Sequence, residues 1–245
     1  MRVEALSKSF GRVAALTNLT FSIGEREIVG LIGPVRSAVV DLLAGKISPT
    51  FGRIRIGGED VTQLGPDART RCGVVRGLQP ADLFLDLTVL ENVVLGAAGR
   101  PAPLFSRRGG KTYQDEAASV LEFTGLARLS NSRAGELSQG EQRLLTIAVA
   151  LAAKPSLLLL DGLAAGLTRT ERLALESLLS EVRDNGTSIL ISDSAIWPLM
   201  DVCDRVLVLI SGRLIADDVP SRIAPYLDAG LSHVIAAPSP VPIAI

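Results

Sequence analysis

The order of apolar and polar residues divides the chain into a strand-rich beginning, a helix-rich middle and an alternating end. Gly33 and Pro34 end one apolar run, and the apolar segment after them reaches Gly45, a residue typical of helix C-termini. This part of the pattern predicts a strand, a tight turn and a short helix. Short β-branched and apolar runs separated by turn residues predict strands at residues 2–6, 19–23, 28–32 and 53–56.

Helical periodicity begins at residue 88. Thr88 with Glu91, and Ser138 with Glu141, have the spacing of a capping box, in which hydroxyl and carboxylate bond each other's backbone N–H. The predicted helices lie at residues 112–124, 138–153 and 171–184, and further strands at 157–160, 188–191 and 205–209. Such alternation indicates an α/β fold with a largely parallel sheet. The block at residues 88–154 is predicted to be an inserted helical lobe.

Composition and charge exclude several classes of function. Hydrophobic residues make up 47% of the 245 residues, and the mean hydropathy is +0.35. Lys154, Pro155 and Asp161 nevertheless interrupt the richest apolar run, and a membrane-spanning helix needs ~20 predominantly apolar residues. The net charge of −1 gives no electrostatic basis for nucleic-acid binding. We therefore expect a soluble, cytosolic chain with no nucleic-acid partner.

Residues 137–143, with the sequence LSQGEQR, carry the most informative chemistry. A glycine at a helix start lets a ligand approach the backbone, and the free N–H groups and helix dipole favour an anion such as phosphate. The apolar run that follows ends in Asp161, whose carboxylate would suit a water molecule on Mg²⁺. A capped helix followed by a core strand is the structural alternative. The spacing of the two elements favours phosphate binding.

This combination resembles the signature motif and Walker B strand of ABC ATPases, and the resemblance extends over residues 3–227. It implies an ABC nucleotide-binding domain at residues 1–228, with a RecA-like core, an N-terminal antiparallel β region and the helical lobe. The apolar, proline-containing tail at residues 229–245 would follow this domain. The signature residues are Leu137, Ser138, Gln139, Gly140 and Glu141.

The same resemblance implies roles for residues elsewhere. Phe10 matches the aromatic residue that stacks on adenine, and Gln79 matches the glutamine that senses the transmembrane subunit and the metal ion. Ala165, Gly166 and Leu167 match the D-loop, which crosses the dimer interface. The implied cofactors are ATP and Mg²⁺. The implied metal-binding residues are Ser37, Gln79 and Asp161.

Finer features resemble one branch of the family, the ATP-binding subunits of branched-chain amino acid importers and close relatives such as urea importers. These features are the segment LTVLENV at residues 87–93, an insertion around Phe105, the sequence Thr170-Glu171 after the D-loop, and residues 202–205. The resemblance therefore implies transport of branched-chain amino acids or a related small polar solute.

The phosphate loop departs from the family pattern G-x-x-G-x-G-K-[ST], whose backbone surrounds the phosphates while the lysine reaches them. Aligned on residues 42–45, this chain is three residues short, with Arg36 at the lysine position and Ser37 at the metal-binding hydroxyl. Aligned on Gly33, Val39 falls at the lysine position instead. The first alignment is preferred because it keeps the helix in register. Either way, glycines that permit close backbone approach are lost, and the arginine fork is larger than a lysine.

Two further positions of the ATP site are changed. Gly162 stands where the family has the glutamate that polarises the attacking water, and it offers no base. Counting back from residues 203–204 places Ser194 at the histidine that contacts the γ-phosphate, and serine offers no cation. We therefore expect no intact catalytic residue in this chain and poor binding of ATP and Mg²⁺ to its own site.

Subunits of this family pair head to tail, so each ATP lies between one subunit's phosphate loop and the other's signature. The expected function is a heterodimer in which residues 137–141 complete the ATP site of a second ATP-binding subunit. Gln79 would transmit motion to transmembrane permease subunits, on the inner face of the cell membrane. Two alternatives stay open: a non-hydrolysing regulatory or scaffold protein with an ABC fold, and a slow ATPase or ATP binder that acts alone.

Overall fold

A computed structural model describes residues 1–77, 79–99, 112–163, 166–193 and 197–226 of the chain. The strands in these ranges are β1 (Arg2–Phe10), β2 (Val13–Ser22), β3 (Ile28–Ile32), β4 (Phe51–Ile56), β5 (Glu59–Asp60), β6 (Val74–Arg76), β7 (Leu157–Asp161), β8 (Ser188–Ser192), β9 (Arg205–Ile210) and β10 (Arg213–Asp218). The helices are α1 (Arg36–Leu43), α2 (Pro66–Arg71), α3 (Val89–Ala98), α4 (Tyr113–Phe123), α5 (Gln139–Ala152), α6 (Arg169–Asp184) and α7 (Pro220–Tyr226). Among these helices, none has both the length and the hydropathy that a bilayer-spanning segment requires.

The larger sheet has the strand order β10-β9-β3-β8-β7-β6, and each neighbouring pair is parallel except β9 with β10. The predicted, largely parallel sheet is therefore confirmed. Leu31 of β3 and Asp161 of β7 both pair with Ser192 of β8, so the carboxyl ends of these strands share one edge. Ligands of open α/β sheets bind outside that edge.

Both faces of the larger sheet are covered. Leu157 and Leu159 of β7 point to the face that α1 and the smaller sheet cover, whereas Leu158 and Leu160 point to the face that α5 and α6 cover. Successive side chains of a strand alternate between its faces, so a strand buried on both sides has an unbroken apolar sequence. This packing explains the continuous run of leucines before Asp161.

The smaller sheet confirms the predicted antiparallel region near the N-terminus. Its order is β2-β1-β4-β5, with every neighbouring pair antiparallel. Val3, Leu6 and Ile54 of this sheet are fully buried against Val39 and Leu42 of α1. Helix α1 is therefore held between the two sheets.

Helices α3, α4 and α5 lie between β6 and β7 in the chain and share a core of their own, which includes Val93, Leu121 and Leu145. The inserted helical lobe and the α/β fold class are thus confirmed. The boundary at residue 228 stays a prediction, because residues 227–245 lie outside the described ranges.

The sequence pattern missed β5, β6, β10, α2 and α7 and placed the start of α6 too late. β6 has only three residues, too few to show a period. β10 is an edge strand whose residues are all exposed or half-buried, so no apolar run marks it. α6 begins at Arg169 because Thr168 caps it, two residues before the predicted start.

Candidate functional site

Three residues, from Gly33 to Val35, connect β3 to α1. Gly33 has a φ of +119°, and a Cβ at this position would lie 2.1 Å from the carbonyl oxygen of Leu209. Only glycine tolerates both the conformation and the contact. Val35 has the left-handed φ of 60° and provides no side-chain cap for the helix. The turn is therefore tight and packed against β9.

Arg36 and Ser37 are the first two residues of α1, and both are half-buried. Arg36 Nη1 lies 3.4 Å from the carbonyl oxygen of Gly33, to which it donates a hydrogen bond. Arg36 Nε is buried and has no hydrogen-bond partner in the part of the chain that the structure describes. The guanidinium therefore folds back over the turn at the start of its own helix.

The carboxylate of Asp161 faces a cation from the same chain. Asp161 ends β7, Arg76 ends the neighbouring strand β6, and Arg76 Nη2 lies 3.7 Å from Asp161 Oδ2. Arg76 Nη1 lies 2.5 Å from Oδ1 of Asp41 in α1. The Asp161 side chain is only 7% exposed, so solvent screens this ion pair incompletely. Arg76 thus joins β6, α1 and β7 at the edge where a metal ion would meet Asp161.

The positions after β7 and β8 carry a glycine and a buried aspartate. Gly162 is exposed, has a φ of +77°, and its N–H donates to the carbonyl oxygen of Ser192 at 2.8 Å. The hydroxyl of Ser192 is buried without a partner among the described residues, and Asp193 is buried beside it. Ser194, predicted at the histidine position, lies outside the described residues.

The signature segment forms the capped start of α5, as the sequence predicts. Ser138 Oγ accepts the N–H of Glu141 at 3.3 Å, while Glu141 Oε2 accepts the N–H and the hydroxyl of Ser138 at 2.9 and 2.8 Å. These bonds, chiefly the one from the Ser138 backbone, lower the pKa of Glu141. Leu137 is buried in the lobe core, and Ser138 and Gln139 are exposed. The segment therefore presents an ordered helix N-terminus to solvent.

A cavity of about 250 Å³ lies between the first turns of α5 and α6. Ser138 and Gly140 line one side, and Leu167 and Glu171 line the other. Gly166 and Leu167 of the predicted D-loop lead directly into the Thr168 cap of α6, whereas Ala165 lies outside the described residues. The structure thus brings the signature and the end of the D-loop together.

Phe10 and Gln79 lie in different parts of the molecule. Phe10 ends β1 in the smaller sheet and is half-buried, with the Lys8 ammonium 5.1 Å from its ring centroid. Gln79 is exposed beyond the carboxyl end of β6, and its N–H donates to Asp82 at 2.9 Å. Gln79 therefore follows the strand that borders Asp161, while Phe10 belongs to the sheet on the other side of α1.

Sequence reasoning missed the roles of Arg76 and Glu171. Arg76 lies in a strand too short to recognise, although a cation three residues before Gln79 was visible in the sequence. Glu171 entered only as a feature of one branch of the family. Its spacing from Thr168 is that of a capping box, which the structure contains.

An α/β core, an antiparallel sheet and a lobe that presents a capped LSQGE segment define an ATP-binding cassette. Residues 16–165, more than half of the chain, match the family described as ABC transporter. The chain therefore belongs to the ABC transporter family and is one of its ATP-binding subunits.

Comparison with known proteins shows that this subunit is homologous to the ATP-binding proteins of branched-chain amino acid transport. The high-affinity branched-chain amino acid transport ATP-binding protein LivG of Salmonella typhimurium is 34% identical over 236 residues, covering 91% of this chain and 92% of LivG. BraF of Pseudomonas aeruginosa, which has the same description, is 31% identical over 237 residues with the same coverage. A solved nucleotide-free ATP-binding cassette from an ABC transporter matches with a TM-score of 0.85 and 26% identity, over 96% of this chain and 98% of that one.

Proposed function

We propose that the chain is the ATP-binding subunit of an importer for branched-chain amino acids or a related small polar solute. Its own ATP site is degenerate, and it supplies its signature to the ATP site of a second subunit. The descriptions of LivG and BraF support the solute class. One contrast supports the proposal that this chain contributes a signature and not a complete ATP site. Asp161 is paired with Arg76, whereas the segment that begins at Ser138 is capped and open to solvent.

The residues at the sheet edge do not fit Mg²⁺ and ATP. Mg²⁺ demands oxygen ligands in octahedral geometry, and a divalent cation at Asp161 would have to displace the guanidinium of Arg76. The turn from Gly33 to Val35 offers three residues where phosphates need a wide backbone loop. Gly162 offers no base to an attacking water molecule. No step of ATP hydrolysis is therefore assigned to this edge of the chain.

The signature suits a phosphate that another subunit holds. The first N–H groups of a helix lack intrahelical acceptors, and the helix dipole adds partial positive charge there. The capping box satisfies the N–H of Ser138 and of Glu141, which leaves those of Gln139 and Gly140 to meet an anion. The Ser138 side chain stands at the same exposed end.

This function requires partners of defined kinds. The second ATP-binding subunit must carry a complete G-x-x-G-x-G-K-[ST] loop, because the shared site takes its phosphate cradle from that subunit. Transmembrane permease subunits would contact the neighbourhood of Gln79, which is exposed beyond β6. The chain would then lie on the inner face of the cell membrane. A nucleic-acid partner is not part of this function.

A titration of the isolated chain with MgATP is expected to show no saturable binding up to about 1 mM, a limit of about −4 kcal/mol. The reason is the pairing of Asp161 with Arg76 and the short turn at Gly33. Isothermal titration calorimetry measures this directly, with the complete-loop partner subunit as the positive control. Saturable binding in the micromolar range would contradict the degenerate site.

Replacing Ser138 by aspartate is expected to lower the ATPase activity of the assembled complex about 10- to 100-fold. Aspartate is a good helix cap, but its charge would repel the phosphates of the partner's ATP. Thr112→Asp is the matched control, because Thr112 caps α4 in the same way through Asp115. Steady-state phosphate release measures both variants. Equal activity of the Ser138 variant and the unmodified complex would contradict the shared ATP site and favour the alternative of a non-hydrolysing scaffold protein.

A further inference from the structure

The first turns of α5 and α6 meet where Gly140 faces the carboxylate of Glu171. A methyl group at position 140 would lie 2.1 Å from Glu171 Oε1 and 3.0 Å from its carboxyl carbon. Both distances are below the van der Waals contact of such atoms, so a side chain at position 140 would displace Glu171. The absence of a side chain at position 140 therefore leaves room for a neighbour within this chain, independently of any phosphate.

The Glu171 side chain is held in this place by its second oxygen. Oε2 accepts the N–H of Thr168 at 2.8 Å and its hydroxyl at 2.6 Å, and the N–H of Glu171 donates to Thr168 Oγ1 at 3.3 Å. The hydroxyl bond, the backbone bond and the nearby Arg143 lower the pKa of Glu171, in that order of size. Swinging the carboxylate away from Gly140 would break the cap of α6.

These contacts connect the signature to the D-loop. Thr168 directly follows Gly166 and Leu167, the described part of the D-loop. Arg143, one turn after Gly140 in α5, has Nη2 3.8 Å from a Cβ built on Gly166. The first two turns of α5 therefore lie beside both the cap of α6 and the segment that precedes it.

We propose that Glu171 is a positioning residue of the signature. It fixes Gly140 relative to residues 166–168, so that the signature and the D-loop approach the partner's ATP as one rigid unit. Glu171 acts through Gly140 and touches no phosphate. The inference rests on the proposed function for its effect on activity, whereas the rigid contact itself belongs to the isolated chain.

The chain offers a matched variant for the test. Asp115 occupies the same position of a capping box in α4, where its carboxylate accepts the N–H and hydroxyl of Thr112 at 2.8 and 2.9 Å. Glu171→Asp should therefore keep the cap of α6 while withdrawing the carboxylate from Gly140. Glu171→Gln keeps the length of the side chain and an oxygen acceptor for Thr168.

In the complex with its partner subunits, Glu171→Asp is expected to lower kcat about tenfold, because misplaced reacting groups react slowly. The KM for ATP and the urea midpoint of the chain should change little, and Glu171→Gln should retain most of the activity. Unchanged kcat in Glu171→Asp, together with reduced activity in Ser138→Asp, would overturn the positioning role and leave the shared site standing.

Two further measurements complete the test. Gly140→Ala should lower kcat in the unmodified background and cause little additional loss in the Glu171→Asp background, where the methyl group has space. An equal loss in both backgrounds would overturn the inference. In the isolated chain, hydrogen exchange of the Glu141 amide should accelerate in Glu171→Asp, while the Glu91 amide of α3 stays unchanged. Unchanged exchange at Glu141 would overturn the contact even if Ser138→Asp proves the shared site wrong.

Discussion

Replacing Arg69 by methionine is expected to lower the free energy of unfolding by about 3 to 5 kcal/mol. Arg69 has no exposed surface, and burial lowers the pKa of its guanidinium. Its Nε donates to the carbonyl oxygen of Val61 at 2.9 Å, and its Nη2 donates to that of Thr62 at 3.2 Å. Its Nη1 donates to the carbonyl oxygens of Leu43 and Leu42 at 2.7 and 3.3 Å. Backbone carbonyls thus take the place of a carboxylate partner.

The loss should be large because the acceptors cannot be removed with the donor. Leu43 ends α1, where the last carbonyl groups lack intrahelical donors and carry partial negative charge. Methionine fills a similar volume but donates no hydrogen bond, so the carbonyl groups of Leu43 and Thr62 lose the guanidinium donor, whereas those of Leu42 and Val61 keep a backbone donor. The free energy of unfolding of Arg69→Lys should lie between those of the unmodified chain and Arg69→Met, because one ammonium reaches fewer of these oxygens than a guanidinium does.

Arg71→Met is the control for this prediction, because Arg71 lies in the same helix and is exposed. Its free energy of unfolding should stay within about 0.5 kcal/mol of the unmodified chain. Urea unfolding followed by circular dichroism measures both variants, and equal slopes would show that only stability changed. A loss below about 1 kcal/mol at Arg69 would mean that water replaces the guanidinium.

Much of the fold follows from local sequence signals. β3 lies where the apolar run predicts it, and α5 starts at Gln139, directly after the cap that the spacing of Ser138 and Glu141 predicts. The parallel order of the core strands follows from the alternation of strands and helices. The helix-rich block at residues 88–154 predicted the lobe, and the resemblance to ABC ATPases, carried by LSQGE and Asp161, supplied the antiparallel region.

Contacts between residues far apart in the sequence could not be predicted in this way. Arg76 meets Asp161 because β6 pairs with β7 across the whole helical lobe, and no local period reports that pairing. Gly140 meets Glu171 because two helix starts pack together. Arg69 lies in a helix of six residues, too short for its buried face to show in the sequence.

Retained motif residues therefore need a structural explanation before they count as signs of nucleotide binding. Gly33 matches the first glycine of a phosphate loop, yet its neighbour in this structure is the carbonyl oxygen of Leu209 in β9. The strand pairing of β3 with β9 brings that carbonyl close to the turn. Packing alone would keep a glycine here even if no phosphate ever binds.

Gly33→Ala is accordingly expected to lower the free energy of unfolding by about 3 to 5 kcal/mol, from backbone strain and steric overlap together. The φ of +119° is strained for an L-residue, and the new methyl group would lie 2.1 Å from the Leu209 oxygen. Neither the Cα of residue 33 nor the Leu209 carbonyl can move easily, because both are backbone atoms held by the buried strands β3 and β9. Urea unfolding followed by circular dichroism gives the value.

Gly57→Ala separates the two contributions. Gly57 has a φ of +58°, is exposed, and has no atom within 4 Å of a built Cβ, so its alanine variant should lose only about 1 kcal/mol. A loss at Gly33 no larger than the loss at Gly57 would contradict the contact with Leu209, and the retained glycine would then again favour a loop that holds phosphate. A loss several times larger, with no MgATP binding in either variant, would show that Gly33 is retained because β9 packs against the turn.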